Sequence, residues 1–448
     1  MIDSDTALAR CQDLVDLART MGADEADAVA RASSSESVSV RLGALEEVER
    51  SESEEIGLRV FVGRRSASIN TSDFAPEGLK ALAQRAVEMA RLAPEDPYGA
   101  LAPAEKLFTG DPVDLEMIDG GEPSPEELRE AALAVEDAAR AVEGVTNSNG
   151  GSASASHSVF ALAATNGFAR GHAGGSHTLS ASVVAGEGGD KQTDYAYRTQ
   201  RHRSDLPGAE AIGREAGERT VRKLRPGSIP SARMPVVFDP RVGSGVLGHL
   251  LGAMSGPGVA RKASFLIGRE GGQLFDSAIN VVEDPHRLRG LRSRNYDGEG
   301  IAPAQGKLVH GGRIGGWLTN VASAAQLGLD LTGHASRGGG GSPGVAVRNV
   351  YMEAGSQSVA ELIADIEDVL FVTDVFGQGV SLVTGDYSRG AAGLRIRNGE
   401  LAEPVAEITI ASTLPEMFAA LTPANDLEFM RGIDVPTLRI DGMSVAGQ

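Results

Sequence analysis

Gly57-Leu58-Arg59-Val60-Phe61-Val62, Gly63-Arg64-Arg65 and Ser66-Ala67-Ser68-Ile69 follow one another directly. Two apolar-alternating runs joined by a glycine-containing connection predict a β-hairpin. Upstream, Ser37-Val38-Ser39-Val40 alternates as a half-buried strand does. Before it, Leu8, Cys11, Val15 and Ala18 recur at helical spacing and predict a helix over 4–21. Cys11 sits in that apolar stripe and reads as a buried structural thiol. Downstream, Pro76 opens a helix running to about Leu92, proline being tolerated in a first turn. The same order then returns. A helix over 125–143 carries Leu128, Ala131, Val135, Ala138 and Val142 on one side. Strands follow over 144–203, where Leu179, Ala181 and Val183 share one face and Thr178, Ser180 and Ser182 the other. A helix over about 207–224 closes the set. The first half thus reads helix–strands–helix twice, without a residue-level repeat. Between the two sets, 94–125 carries prolines at 94, 97, 103, 112, 123 and 125 amid acidic residues, and reads as a linker.

Pro226 and Pro230 punctuate the passage into the second half. Strands are predicted at 234–238, 348–353, 369–375, 379–384, 405–411 and 436–441, with short helices near 241–254, 319–327, 358–366 and 413–421. The expected class is α+β: N-terminal helices packed on mixed sheets over 1–228, then a strand-rich, mainly antiparallel domain over 229–448.

Composition narrows the function. The 448 residues carry 42 basic and 61 acidic side chains, a net charge of −19. So acidic a surface repels phosphate backbones and anionic lipid, so neither direct nucleic-acid nor membrane binding is expected. One cysteine excludes an internal disulfide framework and a cysteine-based zinc ribbon. The acidic, amphipathic N-terminus does not read as a secretory signal, and no run of apolar residues is long enough to span a bilayer. The expectation is a cytoplasmic protein.

Several patterns invite a catalytic reading and fail on chemistry. Gly243-Ser244-Gly245-Val246-Leu247-Gly248 matches the dinucleotide-loop spacing, with Glu270 at about the right distance. However, Pro240 interrupts the strand-to-loop turn and no second strand follows over 255–275. Gly340-Gly341-Ser342-Pro343-Gly344 matches the nucleophile elbow of serine hydrolases, which needs a backbone N–H after the serine. Pro343 has none. His172 and His177 are five apart, which on a strand puts them on opposite faces. Asp297 and Glu299 form the most concentrated acidic turn of the second half, expected as a solvated loop or paired with Arg292 or Arg294 rather than as a catalytic dyad.

The wording of the second half is more telling. Pro235-Val-Val-Phe-Asp-Pro-Arg241, Ala260-Arg-Lys-Ala-Ser-Phe265, Arg289-Gly-Leu-Arg-Ser-Arg294 and Asp297-Gly-Glu-Gly300 resemble the TldD/PmbA family. So do Thr332-Gly-His-Ala-Ser-Arg-Gly338, Val383-Thr-Gly-Asp-Tyr-Ser-Arg-Gly390 and Pro436-Thr-Leu-Arg-Ile440. In the first half, Gly57–Val62 with Ser68-Ile-Asn-Thr-Ser-Asp73 looks like the same family, so the resemblance spans nearly the whole chain.

That resemblance implies two branches pairing as a cytoplasmic heterodimeric metalloprotease. The TldD branch carries zinc on an H-E-x-x-x-H helix with a cysteine near its C-terminus; the PmbA branch, also called TldE, lacks them. Here the corresponding window places His249 at the first histidine, Leu250 at the glutamate and Met254 at the second histidine. A catalytic zinc takes three protein ligands plus an activated water, and one imidazole beside Leu250 supplies neither the set nor the base. The resemblance therefore implies no catalytic residue, metal or cofactor in this chain, with zinc on a TldD-like partner. It also implies an extended peptide substrate at a shared cleft, for peptide maturation or antitoxin degradation, and allows a homodimer in isolation. Two alternatives stand beside it: a metal-dependent peptidase assembled from scattered residues, and a regulatory protein-binding factor of the gyrase-modulator type.

Overall fold

The computed structural model describes residues 2–447. Helix α1 (Ser4–Thr20) begins at Asp3, whose side chain accepts from the Thr6 N–H, and presents Ala7, Cys11, Leu14, Val15 and Ala18 to the core. Three strands follow, β1 (Glu25–Arg41), β2 (Ala44–Val62) and β3 (Arg65–Thr71), then α2 (Pro76–Leu92). The second set is α3 (Pro125–Arg140), β4 (Val145–Ala164), β5 (Ala169–Ala185), β6 (Gln192–Gln200) and α4 (Ala209–Arg222). Ser124 and Glu127 close a reciprocal capping box at the start of α3.

The helix–strands–helix order found twice in the sequence becomes one sheet with spatial order β3-β2-β1-β4-β5-β6. Each set contributes a three-stranded meander, and the two meet where β1 pairs antiparallel with β4, Ser35 opposite Ser156. Every pairing in this sheet is antiparallel. It is a single sheet of one sense where mixed sheets were expected: short connections impose antiparallel neighbours within each meander, and the long-range β1–β4 pairing is antiparallel as well. The alternation of β1 sorts its side chains. Ala26, Ala28, Ala30 and Ala32 pack with α1 and α2, and Val38 and Val40 with α3 and α4. Asp27, Val29 and Arg31 fall on the opposite face.

That opposite face meets the C-terminal half. There β7 (Ala232–Phe238) leads into α5 (Pro240–Ala253), whose first turn carries Pro240 and whose Asp239 accepts from the Arg241 N–H. Short α6 (Gly256–Ala260) follows, then β8 (Val281–Asp284), β9 (Gly306–His310), β10 (Arg313–Ile314), α7 (Val321–Leu327), β11 (Ala335–Ser336), β12 (Gly344–Val345), β13 (Asn349–Met352) and α8 (Val359–Ile363). The chain ends with β14 (Asp368–Phe376), β15 (Asp386–Arg397), β16 (Glu400–Thr413), α9 (Leu414–Ala419), β17 (Leu421–Pro423), β18 (Ile433–Asp434) and β19 (Leu438–Ala446). A sheet ordered β16-β15-β14-β7-β19 closes on itself through a β16–β19 pairing, forming a five-stranded barrel with β17 added beside β19. A second sheet, β10-β9-β8-β13-β18, packs with it around one large apolar core. The class is α+β.

One predicted strand is absent: 379–384 is a turn region that touches β15 through a single Val380–Tyr387 bridge. Its Val380 and Leu382 alternate as a strand would, but they pack onto the core from a loop held by the Gly385 N–H to the Ser381 carbonyl.

Candidate functional site

Helix α5 is the window that the zinc motif would occupy. Leu250 and Met254 are fully buried in the C-terminal core with Val246 and Leu247. His249 turns to the other side of the helix, half-buried, its ring edge-on to Tyr387 with centroids 6.0 Å apart. Burial, with Arg389 nearby, lowers its pKa. Zinc does not fit here: the side chains at the three positions are one imidazole, a hydrocarbon without a donor atom, and a thioether turned into the core. Among the described residues, no three His, Cys, Asp or Glu side chains stand close enough to hold a metal ion. Gly243–Gly248 lies within the same helix, so its glycines cradle nothing. Gly243 instead lets Val435 and Leu438 approach, a Cβ there lying 3.1 Å from the former.

The polar chemistry is elsewhere. Between the open face of the N-terminal sheet and loops of the C-terminal half lies a cleft of about 920 Å³. Arg31, Ser33 and the Ser53–Glu55 stretch line it from β1 and β2, and His172 from β5. Arg294, Tyr296, Asp297, Arg337 and Arg348 line it from the other side. The two halves approach closely at its rim. A Cβ on Gly57 would stand 1.4 Å from the Gly339 carbonyl oxygen, so only glycine lets the 338–342 loop rest on β2.

Beneath the cleft a buried ion cluster ties the halves together. Asp27 on β1 accepts from Arg59 Nε at 2.9 Å, and from Arg337 across the interface at 2.5 and 3.2 Å. Burial pushes the Asp27 carboxyl up, but Arg337 and Arg59 outweigh it and leave its pKa below the ordinary value. Glu299 lies 3.8 Å from Arg59 and accepts the Val321 N–H at the start of α7 at 2.8 Å. Burial dominates there and raises Glu299 to about 7, against Arg59. Asp297 accepts three backbone N–H groups, from Glu299, Ile301 and Ala335 at 2.8 to 2.9 Å, and burial raises its pKa despite them. The Asp297–Glu299 turn is therefore buried, not solvated, and neither acid pairs with Arg292 or Arg294. Its apolar flanks face the sheet, and Tyr296 packs edge-on against Phe168 at 5.1 Å.

His172 and His177 go separate ways. His172 Nδ1 lies 3.0 Å from the Tyr296 hydroxyl, whereas His177 Nε2 lies 3.4 Å from Asp119 in the 94–125 segment. Burial, added to by Arg294, Arg348 and Arg201, lowers His172 to about 3. It is neutral at physiological pH. Pro343 offers its carbonyl to Asn320 Nδ2 at 2.7 Å, with no nucleophile elbow around Ser342. Cys11 is buried, its thiol pushed up to about 12 by desolvation. A second interdomain cluster joins Asp194 on β6 to Arg241 on α5 and to Lys223, each at 2.8 Å.

Three family models match the chain: PmbA/TldA metallopeptidase domain 1 over 26–90, its central domain over 118–224 and its C-terminal domain over 231–447. The chain is 36% identical over 414 residues to metalloprotease PmbA of Escherichia coli O157:H7, covering 92% of this chain and 90% of that protein. This chain belongs to the PmbA/TldD family. A metalloprotease PmbA homolog of Haemophilus influenzae is 32% identical over 457 residues, with 99% of each chain covered. In fold, the chain matches TldE of Thermococcus kodakarensis with a TM-score of 0.85 at 21% identity, covering 98% of this chain and 100% of that one. It also matches a Bacteroides thetaiotaomicron protein described as a candidate DNA gyrase modulator, with a TM-score of 0.92 at 24% identity and full coverage of both.

The cleft arginines escape a sequence reading because they arrive from separate segments. Arg294 and Arg337 stand in stretches that resemble the family, but Arg31 and Arg348 carry no motif at all. No local spacing joins them.

Proposed function

We propose that this chain is a PmbA/TldE-like, non-catalytic subunit of a cytoplasmic heterodimeric metalloprotease that acts on extended peptides, the zinc being held by a TldD-like partner. One observation carries the reading: where a zinc helix needs Glu and a second His, Leu250 and Met254 are packed into the core. The protein fold remains whole around that loss, so the helix has been kept for packing. The open sheet edge supports a peptide partner. β3 pairs only with Ile56–Val62 of β2, leaving 44–55 without a strand on its outer side among the described residues. That edge runs into the cleft at Ser53–Glu55, and an extended peptide adds to such an edge through main-chain hydrogen bonds. No described helix is long and apolar enough to cross a membrane.

The test mixes the purified chain with a cognate TldD-like chain at micromolar concentration. Co-elution on size exclusion, with peptide cleavage arising only in the mixture, is the expected result. Absence of association sinks the subunit reading, and metal-dependent cleavage by the single chain favours a peptidase in its own right.

A further inference from the structure

Arg348 is buried and Arg294 partly buried, and the carboxylates that act on Arg348, Asp297 and Glu283, lie beyond ion-pair contact. Neither makes an ion pair with a carboxylate among the described residues. Arg294 donates only to the Ser293 carbonyl, at 2.8 Å, and Arg348 reaches the Ala335 carbonyl at 3.5 Å. Arg348 Nε has no hydrogen-bond partner, nor has Nε of neighbouring Arg337. Arg348 and Arg337 are each only 8% exposed. A guanidinium without a carboxylate partner in such a setting is costly to desolvate. Burial, reinforced by Arg201 and Arg348, lowers Arg294 to about 10. In a chain of net charge −19, two neighbouring arginines that make no direct carboxylate contact stand out.

We propose that Arg294 and Arg348, with Arg31 at the mouth, receive the C-terminal carboxylate of an extended peptide lying along the open edge of β2. The proposal rests on the peptide-binding reading above and adds to it the end of the peptide and the residues that hold it. A planar carboxylate matches the guanidinium fork and supplies the direct contact that Arg294 and Arg348 lack. A phosphate dianion fits less well, because Glu54, Glu55 and Asp297 line the same cleft. The geometry selects a chain end, since a strand added beside residues 44–53 delivers one terminus to the arginines. His172 and the Tyr296 hydroxyl, 3.0 Å apart, complete a wall that is polar but uncharged at neutral pH.

The experiment is fluorescence anisotropy on the full chain, with three N-terminally labelled six-residue Ala/Ser peptides: a free acid, its C-terminal amide, and the amide carrying one internal Glu. The free acid is expected to bind at least about tenfold tighter than the plain amide, the worth of one or two charge-assisted hydrogen bonds. Arg348→Gln and Arg294→Gln should each abolish that preference. Arg31→Gln, at an exposed side chain whose one ion pair is a 3.9 Å surface contact with Glu55, should reduce it two- to threefold. Equal binding of acid and amide, or binding of neither, overturns the proposal. If the Glu-bearing amide binds as tightly as the free acid, the carboxylate comes from a side chain and the terminal assignment is overturned. None of these measurements needs the partner chain, so a negative result here is separate from failure to associate.

Discussion

Along α5, the positions that would carry zinc chemistry are Leu250 and Met254, sunk among apolar neighbours, with His249 left alone beside Tyr387. Across the interdomain cleft, several buried side chains are charged: Asp27, Arg59, Glu299, Arg337 and Arg348. The first region is apolar and closely packed. The second keeps costly polar groups that packing alone does not need. Burying ions rarely stabilises a fold beyond what apolar residues of equal volume achieve. The contrast therefore assigns α5 to stability, and directs the search for recognition to the cleft.

The largest expected effect comes from putting chemistry back into α5. Leu250→Glu places an unpaired carboxylate in the core and should destabilise the chain by more than about 4 kcal/mol in urea unfolding. Near wild-type stability would mean that the helix can present a polar face, and would break the contrast. Next, Arg337→Met removes the interdomain partner of Asp27 and should cost about 3 kcal/mol, by the penalty for orphaning half of a buried pair. The same unfolding assay reads it, and a neutral outcome would mean that Arg59 alone neutralises Asp27.

An effect of about the same size concerns pH. Glu299 holds its proton in the folded state up to about 7, against an ordinary value of 4.5. The folded state therefore binds the extra proton between those values. The stabilisation from protonated Glu299 is full below about pH 4.5 and is lost as pH rises through 7, a change of roughly 3 kcal/mol. Glu299→Gln keeps an acceptor for the Val321 N–H and should flatten that part of the pH–stability curve. His172, lowered to about 3, acts in the opposite sense: its contribution falls as pH drops below about 6.5. The Glu299 slope must therefore be taken as the difference between variant and wild type. An unchanged slope in Glu299→Gln would place the titration on another group.

The smallest effect is expected at His249. Its half-buried ring makes one edge-on aromatic contact, so His249→Ala should cost no more than about 1.5 kcal/mol. Cleavage by a reconstituted complex should be unchanged. Loss of cleavage with retained folding and association would give the lone histidine a part in the chemistry.

How much of this was legible beforehand depends on the range of the signal. The helix–strands–helix order was readable twice, because Leu8–Cys11–Val15–Ala18 and Leu179–Ala181–Val183 encode their period locally. The antiparallel sense of the whole sheet was not, since the β1–β4 pairing joins residues more than a hundred positions apart. The apolar character of the zinc window was legible at Leu250 and Met254 from the motif resemblance, and their burial only from the structure. The cleft was not. Asp297 and Glu299 read as a surface turn because acidic Gly-rich stretches usually are, and only the tertiary structure shows them buried under Arg59 and α7. Arg348 gave no sequence signal, since its role arises from the distant segments brought round it.

The most direct test of the central claim is the zinc content of the purified full chain, by elemental analysis without added metal, together with its peptidase activity. The account predicts essentially no zinc and no cleavage by the single chain, with cleavage restored by a TldD-like partner. About one zinc per chain, lost together with activity in His249→Ala, would contradict it.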